Sequence, residues 1–179
     1  MLHSVCIDVE LEPNLQPVSG GKFKLSANIK DEGRADVRAR GFWRDGQNAY
    51  FDVRVTNPEC KSQKDKTVKA ILKNHETEKK RQYNQRIMQV EHGTFTPLVF
   101  TTSGVMAPEC LLYHKALAHK ISEKKGERYD DIIRFMRMRL SFLCVKSTLL
   151  CLRGSRPNNR SFEEDSVGDY SLSLCELRI

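Results

Sequence analysis

Between Ala35 and Thr56 the chain alternates apolar and polar residues over two short runs, Ala35 to Phe42 and Ala49 to Thr56, with Arg44-Asp-Gly-Gln between them. A period of two reads as half-buried strand, and Asp45-Gly46 supplies a reversal because glycine takes a positive φ at little steric cost. The expectation is an antiparallel hairpin. Alternation sorts its side chains: Asp36, Arg38 and Arg40 share one face, Asp52 and Arg54 share one on the second strand, and Val37, Phe51, Val53 and Val55 point the other way toward a core.

The hairpin is followed by a loop over 57–66 and then a mostly charged helix from about Thr67 to Gln89, ended by His92-Gly93. On a 3.6-residue period Val68, Ile71, Leu72, His75, Lys79, Tyr83 and Val90 fall in one stripe, so Lys79 points inward with the apolar set. Glu76 and Lys80 lie at its margin and read as a solvated i,i+4 pair. A third strand is expected over Thr94 to Thr102, then a helix over Glu109 to Lys120 that Pro108 starts. The last helix, Tyr129 to Leu152, opens on Asp130-Asp131 and closes at Arg153-Gly154, which suits the dipole and the C-cap. It is apolar almost all round, which predicts packing on more than one side.

These elements divide the chain into a polar segment over 1–33, a candidate for the first helix of the domain, an α/β domain over 34–154, and an acidic tail over 155–179 with a short strand near Tyr170 to Leu174. The 39% of hydrophobic residues suffice for one core. No run is long and apolar enough for a membrane span, since Ile132 to Leu152 is broken by Arg134, Arg137, Arg139 and Lys146. An acid at Asp8 spoils a signal peptide, and six scattered cysteines without a C-x-x-C pair fit a reduced, intracellular protein. Cys and His do not cluster as zinc ligands do, and Cys144 and Cys151 read as small core residues. The net charge of +7 is uneven: residues 163–179 hold five acids and one Arg, leaving about +11 on the rest. Such a field favours a phosphate-rich partner.

Two carboxylates on neighbouring strands, Asp36 and Asp52, are what a nuclease uses to hold Mg²⁺ beside a phosphodiester. Taken in order, Arg34-Ala-Asp36, Asp52-Val-Arg54-Val, the helix Glu78-Lys-Lys-Arg-Gln-Tyr83 and Phe95-Thr-Pro-Leu-Val-Phe100 resemble the restriction-enzyme-like endonuclease domain of non-LTR retrotransposons, within the PD-(D/E)XK nuclease superfamily. The resemblance covers roughly residues 34–110. It implies a restriction-endonuclease-like fold, a central mixed β-sheet flanked by α-helices, and metal-dependent nicking of DNA.

Residue by residue, the resemblance makes Asp36 and Asp52 the ligands of Mg²⁺ or Mn²⁺, with Ala35 where the motif has Pro. Arg54 stands at the motif's Lys position and stays protonated, so it steadies a phosphate rather than acting as a base. Lys79 is the candidate to supply the missing function from the helix, with the Tyr83 hydroxyl one turn on expected to orient it or to touch the phosphate of bound DNA. Glu12 is a further candidate acid. Arg38 and Arg40 are expected to grip the DNA backbone. A reverse transcriptase domain is implied for the parent element, and a nuclear location if genomic DNA is cut. Site preference would come from other domains, because nothing here resembles a zinc finger or a recognition helix.

Each residue also has a plainer reading. Asp36 and Asp52 are what the solvent face of a hairpin carries, paired with Arg38 or Arg54 across the strands. Lys79 could run along the helix to water, and Trp43 beside Phe42 could cover the core edge rather than stack on a base. The alternative function is accordingly a catalytically inactive nucleic-acid-binding module or a decayed mobile-element product.

Overall fold

The structure, a computed structural model, describes residues 1–15 and 34–154, with side chains described to residue 150. It is a mixed α/β fold with a four-stranded mixed sheet in the order β1-β2-β3-β4. The expected hairpin is present as β2 (Val37–Arg40) and β3 (Asn48–Thr56), paired Val37 to Phe51 and Arg40 to Asn48. Its loop closes through the Gln47 N–H to the Arg44 carbonyl at 3.2 Å, with Gly46 at φ 73°.

β1 (Ile7–Leu11) pairs antiparallel with β2 and adds an edge strand inside the segment expected as polar coil or first helix. Its Ile-Asp-Val-Glu-Leu alternation is a strand signal, but the strand is short, mostly exposed and irregular between Ile7 and Glu10. Asp8 and Glu12 both take positive φ. Residues 16–33, and the tail with the strand expected near Tyr170, lie outside the described residues.

β4 (Thr94–Thr101) runs parallel to β3 in unbroken register from Ala49 and Thr94 to Thr56 and Thr101. Parallel neighbours cannot be joined by a hairpin, so the chain crosses over a sheet face through α1 (Val68–Gln89). Thr67 caps α1 as expected, its hydroxyl accepting from the Ala70 N–H at 3.3 Å. Pro97 is tolerated in β4 because that strand is an edge. The outer edge bonds instead to the following loop, Thr101 N–H to Val105 carbonyl and Ala107 N–H to Val99 carbonyl, each at 2.9 Å.

α2 (Pro108–Lys125) opens on proline at its first position and ends on Gly126 in the left-handed region. α3 (Tyr129–Gly154) follows and packs on α2.

Two cores result. Phe42, Phe51 and Tyr113 stack with Leu98, Leu117 and Met136 in the larger one, while Tyr50, Tyr83, Ile87 and Phe95 fill a smaller one under α1. Gly93 sits where chain crowding forbids a side chain, since a Cβ there would lie 2.8 Å from both the Asn48 carbonyl and the Tyr50 ring. Trp43 covers the core edge, edge-on to Phe42, and donates to Thr96 Oγ1 at 2.9 Å.

Three expectations need correction. Val55 is 53% exposed rather than core-facing, because β3 runs on past Val37, the first residue of β2. Val68 is also exposed, at the start of α1, and Ile87 takes the buried place further along. Glu76 and Lys80 are no solvated pair: Glu76 is buried and accepts from the Glu109 N–H at 2.9 Å, while Lys80 pairs with Glu109. A carboxylate on α1 thereby satisfies a free amide at the α2 N-terminus, where the dipole favours it.

The Tyr50 hydroxyl donates to Glu91 Oε2 at 3.0 Å, and burial followed by that carboxylate pushes it up from 10.0 to about 12. Burial also pushes up Tyr83 and Tyr113. An unfolded tyrosine ionises first, so the folded state holds more protons above about pH 10 and stability falls as pH rises toward about 12. Urea denaturation across that range is expected to show this loss, and Tyr50→Phe to remove the Tyr50 share of the slope.

Candidate active site

β3 presents Tyr50, Asp52, Arg54 and Thr56 on the face covered by α1, and α1 meets the last three with complementary groups. Lys79 Nζ lies 2.7 Å from Asp52 Oδ2, Glu78 Oε2 lies 2.9 Å from Arg54 Nη1, and His75 Nε2 lies 3.2 Å from Thr56 Oγ1. Glu78 also faces His75 Nδ1 at 3.5 Å, so Thr56, His75, Glu78 and Arg54 form a chain. His75 and Glu78 are the site neighbours not singled out from sequence, although His75 lies in the inward stripe and Glu78 opens the helix motif.

Asp52 is 4% exposed and the Lys79 side chain 17%. A carboxylate at that depth requires a countercharge, and the inward phase of Lys79 supplies it. At that distance the ammonium is in direct contact with Oδ2 and is its countercharge. Burial pushes the Asp52 carboxyl up, Lys79 pulls it back, and the neighbouring Asp36 charge pushes it up again. The Lys79 ammonium also stands 5.4 Å from the centre of the Tyr83 ring, within cation–π range. Tyr83 is buried against Phe95, and the Asp52 charge adds to burial in pushing its hydroxyl up.

Asp36 lies just before β2, next to Val37, the residue that pairs with Phe51. Its backbone bonds to the Phe51 carbonyl at 3.0 Å and to the Glu12 N–H at 2.7 Å, and its Oδ2 accepts from the Val53 N–H at 2.6 Å. The carboxylate is thus tied beside Asp52 by the strand itself. The solvent-face reading fails for Asp52, which is enclosed by α1.

The remaining candidates are engaged elsewhere. Arg38 pairs with Glu10 at 2.7 Å, Arg40 with Asp8 at 3.7 Å, and Arg34 with Glu12, a ladder of charges between β1 and β2. Arg54 turns to Glu78, and Glu12 is directed at Arg34.

Among the described residues no three His, Cys, Asp or Glu side chains converge as a metal site. Mg²⁺ accepts fewer protein ligands than that, since one or two carboxylates with waters and substrate phosphates hold it. Asp36 and Asp52 fit that donor set by their chemistry, two hard carboxylates close enough for the charge of one to act on the other. No helix among the described residues is long and apolar enough to cross a membrane. The chain matches no protein-family model, and a search of curated proteins finds no match.

Removing the ammonium alone strands a buried carboxylate. Lys79→Met is expected to lower stability by about 3 kcal/mol, while the double change Lys79→Met/Asp52→Leu recovers all but about 1 kcal/mol of it. Urea titrations of the four chains check this, and simple additivity of the two single losses is the contrary result.

Proposed function

We infer that the chain is a metal-dependent endonuclease domain of the restriction-endonuclease-like kind that nicks DNA, in keeping with its resemblance to retrotransposon nucleases. The observation that supports this reading is the Asp36 carboxylate, bonded to the Val53 N–H, beside the buried Asp52, with the Lys79 ammonium 2.7 Å from the latter. Asp36 and Asp52 would hold Mg²⁺ or Mn²⁺. A divalent cation bound there supplies an activated water and positive charge for phosphodiester hydrolysis.

The other residues set the stage for that chemistry. Lys79 offsets the Asp52 charge, and its ammonium, over the Tyr83 ring, stays beside the carboxylate where a phosphate would sit. Val53 N–H fixes one Asp36 oxygen and leaves the other to act. The basic charge of the chain would draw DNA through its backbone, so retention should weaken steeply with salt. On this reading the domain works in the nucleus, beside the reverse transcriptase of a parent element.

The second reading is an inactive nucleic-acid-binding relative. It is favoured by Arg54, which stands at the motif's Lys position yet is bound to Glu78, and by the pairing of Arg38 and Arg40 with acids of β1.

Supercoiled plasmid with Mg²⁺ or Mn²⁺ separates the two. The wild-type chain is expected to give nicked circles, Asp52→Asn to lower the rate at least about 100-fold with DNA retention in a gel shift unchanged, and Arg54→Ala to stay within about threefold. Retention without nicking by the wild type selects the inactive relative, and equal nicking by Asp52→Asn overturns the aspartate site.

A further inference from the structure

α3 uses only one side of its first half. Ile132, Ile133 and Met136 are buried, whereas Phe135, Met138, Phe142, Val145 and Leu149 are each 47–68% exposed. The spacing of these five is 3, 4, 3 and 4, a strict heptad seam about 80° wide at 100° per residue, on the side of the helix away from α2. From Val145 to Leu150 every residue is exposed, so the last described turns stand clear of the domain. A large contiguous apolar stripe on one helix marks a surface built to be covered.

The flanks of the seam say by what. The positions bordering it are Arg139 and Lys146 on one side and Arg134, Ser141 and Thr148 on the other. None of the three cations takes an ion pair among the described residues. A second copy would set like charges together, Arg134 against Arg139 if parallel, and Arg139 and Lys146 against each other if antiparallel. The narrow 3.5-residue repeat fits knobs-into-holes packing with another helix better than a lipid surface, which suits a broader apolar face.

We propose that α3 pairs with an amphipathic helix of another protein that carries a heptad seam flanked by acidic residues. This surface stands apart from the aspartate pair and does not depend on the nuclease reading.

The test uses the full chain and two synthetic peptides of about 21 residues with Leu at both seam positions, one flanked by Glu and one by Lys. Calorimetric titration is expected to show the Glu peptide binding at least about tenfold tighter than the Lys peptide. Phe142→Glu, at a residue 68% exposed, should weaken the Glu peptide by at least about tenfold while the circular dichroism and melting curve stay unchanged. Arg134→Glu/Lys146→Glu should reverse the preference toward the Lys peptide.

Four results overturn the proposal. These are no binding or equal binding of the peptides; a concentration-dependent dimer in ultracentrifugation that Phe142→Glu abolishes, which assigns the seam to a second copy; protection of Met138 and Phe142 from hydroxyl-radical labelling in the free monomer, which assigns it to the chain's own remainder; and tighter binding to anionic phosphatidylserine vesicles than to the Glu peptide, which assigns it to a membrane surface.

Discussion

The parallel pairing of β3 with β4 is the constraint from which the rest of the structure follows. Because a hairpin cannot join parallel strands, the chain must travel the length of the sheet and back, and α1 is what fills that path. A helix laid over one face of β3 has to answer each side chain presented there. It does so in sequence, with aromatic and aliphatic groups under Tyr50, an ammonium for Asp52, a carboxylate for Arg54 and an imidazole for Thr56. Remove the crossover and Asp52 becomes an ordinary surface acid. Its enclosure is a product of topology.

The same helix is keyed to the opposite layer. Glu76 reaches the N-terminus of α2, and Lys80 pairs with Glu109, so α1 and α2 are joined around the β4 edge. Burial pushes the Glu76 carboxyl up, opposed by its hydrogen bond from the Glu109 N–H. The position of Lys79 is therefore held from two sides, by the strand that it faces and by the helix that its neighbours grip. A side chain placed by two elements loses little further entropy when it acts.

Local signals announced much of this. The period of two around Asp45-Gly46, the Thr67 cap and Pro108 each belong to a few adjacent residues, and the structure carries each of them close to its expected place. The inward phase of Lys79 was likewise legible from spacing alone, and so was its vicinity to Tyr83. What spacing could not show was the partner. That Glu76 caps another helix, that Arg54 turns to Glu78, and that β1 takes Arg38 and Arg40 all depend on elements distant in the chain. The plainer solvent-face alternative for Asp52 fails for the same reason, because alternation tells which residues share a side but not what lies over it. α3 is the reverse case, since its apolar surround predicted packing on several sides and the domain covers one.

The two margins of the sheet bear on how such a domain avoids strand-to-strand association. At one end Pro97 removes an amide from β4, and the loop at Val105 and Ala107 occupies the groups of Val99 and Thr101 that would otherwise face outward. At the other, β1 is short, interrupted, kinked at Asp8 and Glu12, and lined with charge. Neither end offers the straight row of unpaired backbone groups on which a stray strand could nucleate. Fibril-like growth through the sheet is thus blocked at both margins, and the domain can carry an exposed apolar helix without inviting strand-by-strand aggregation.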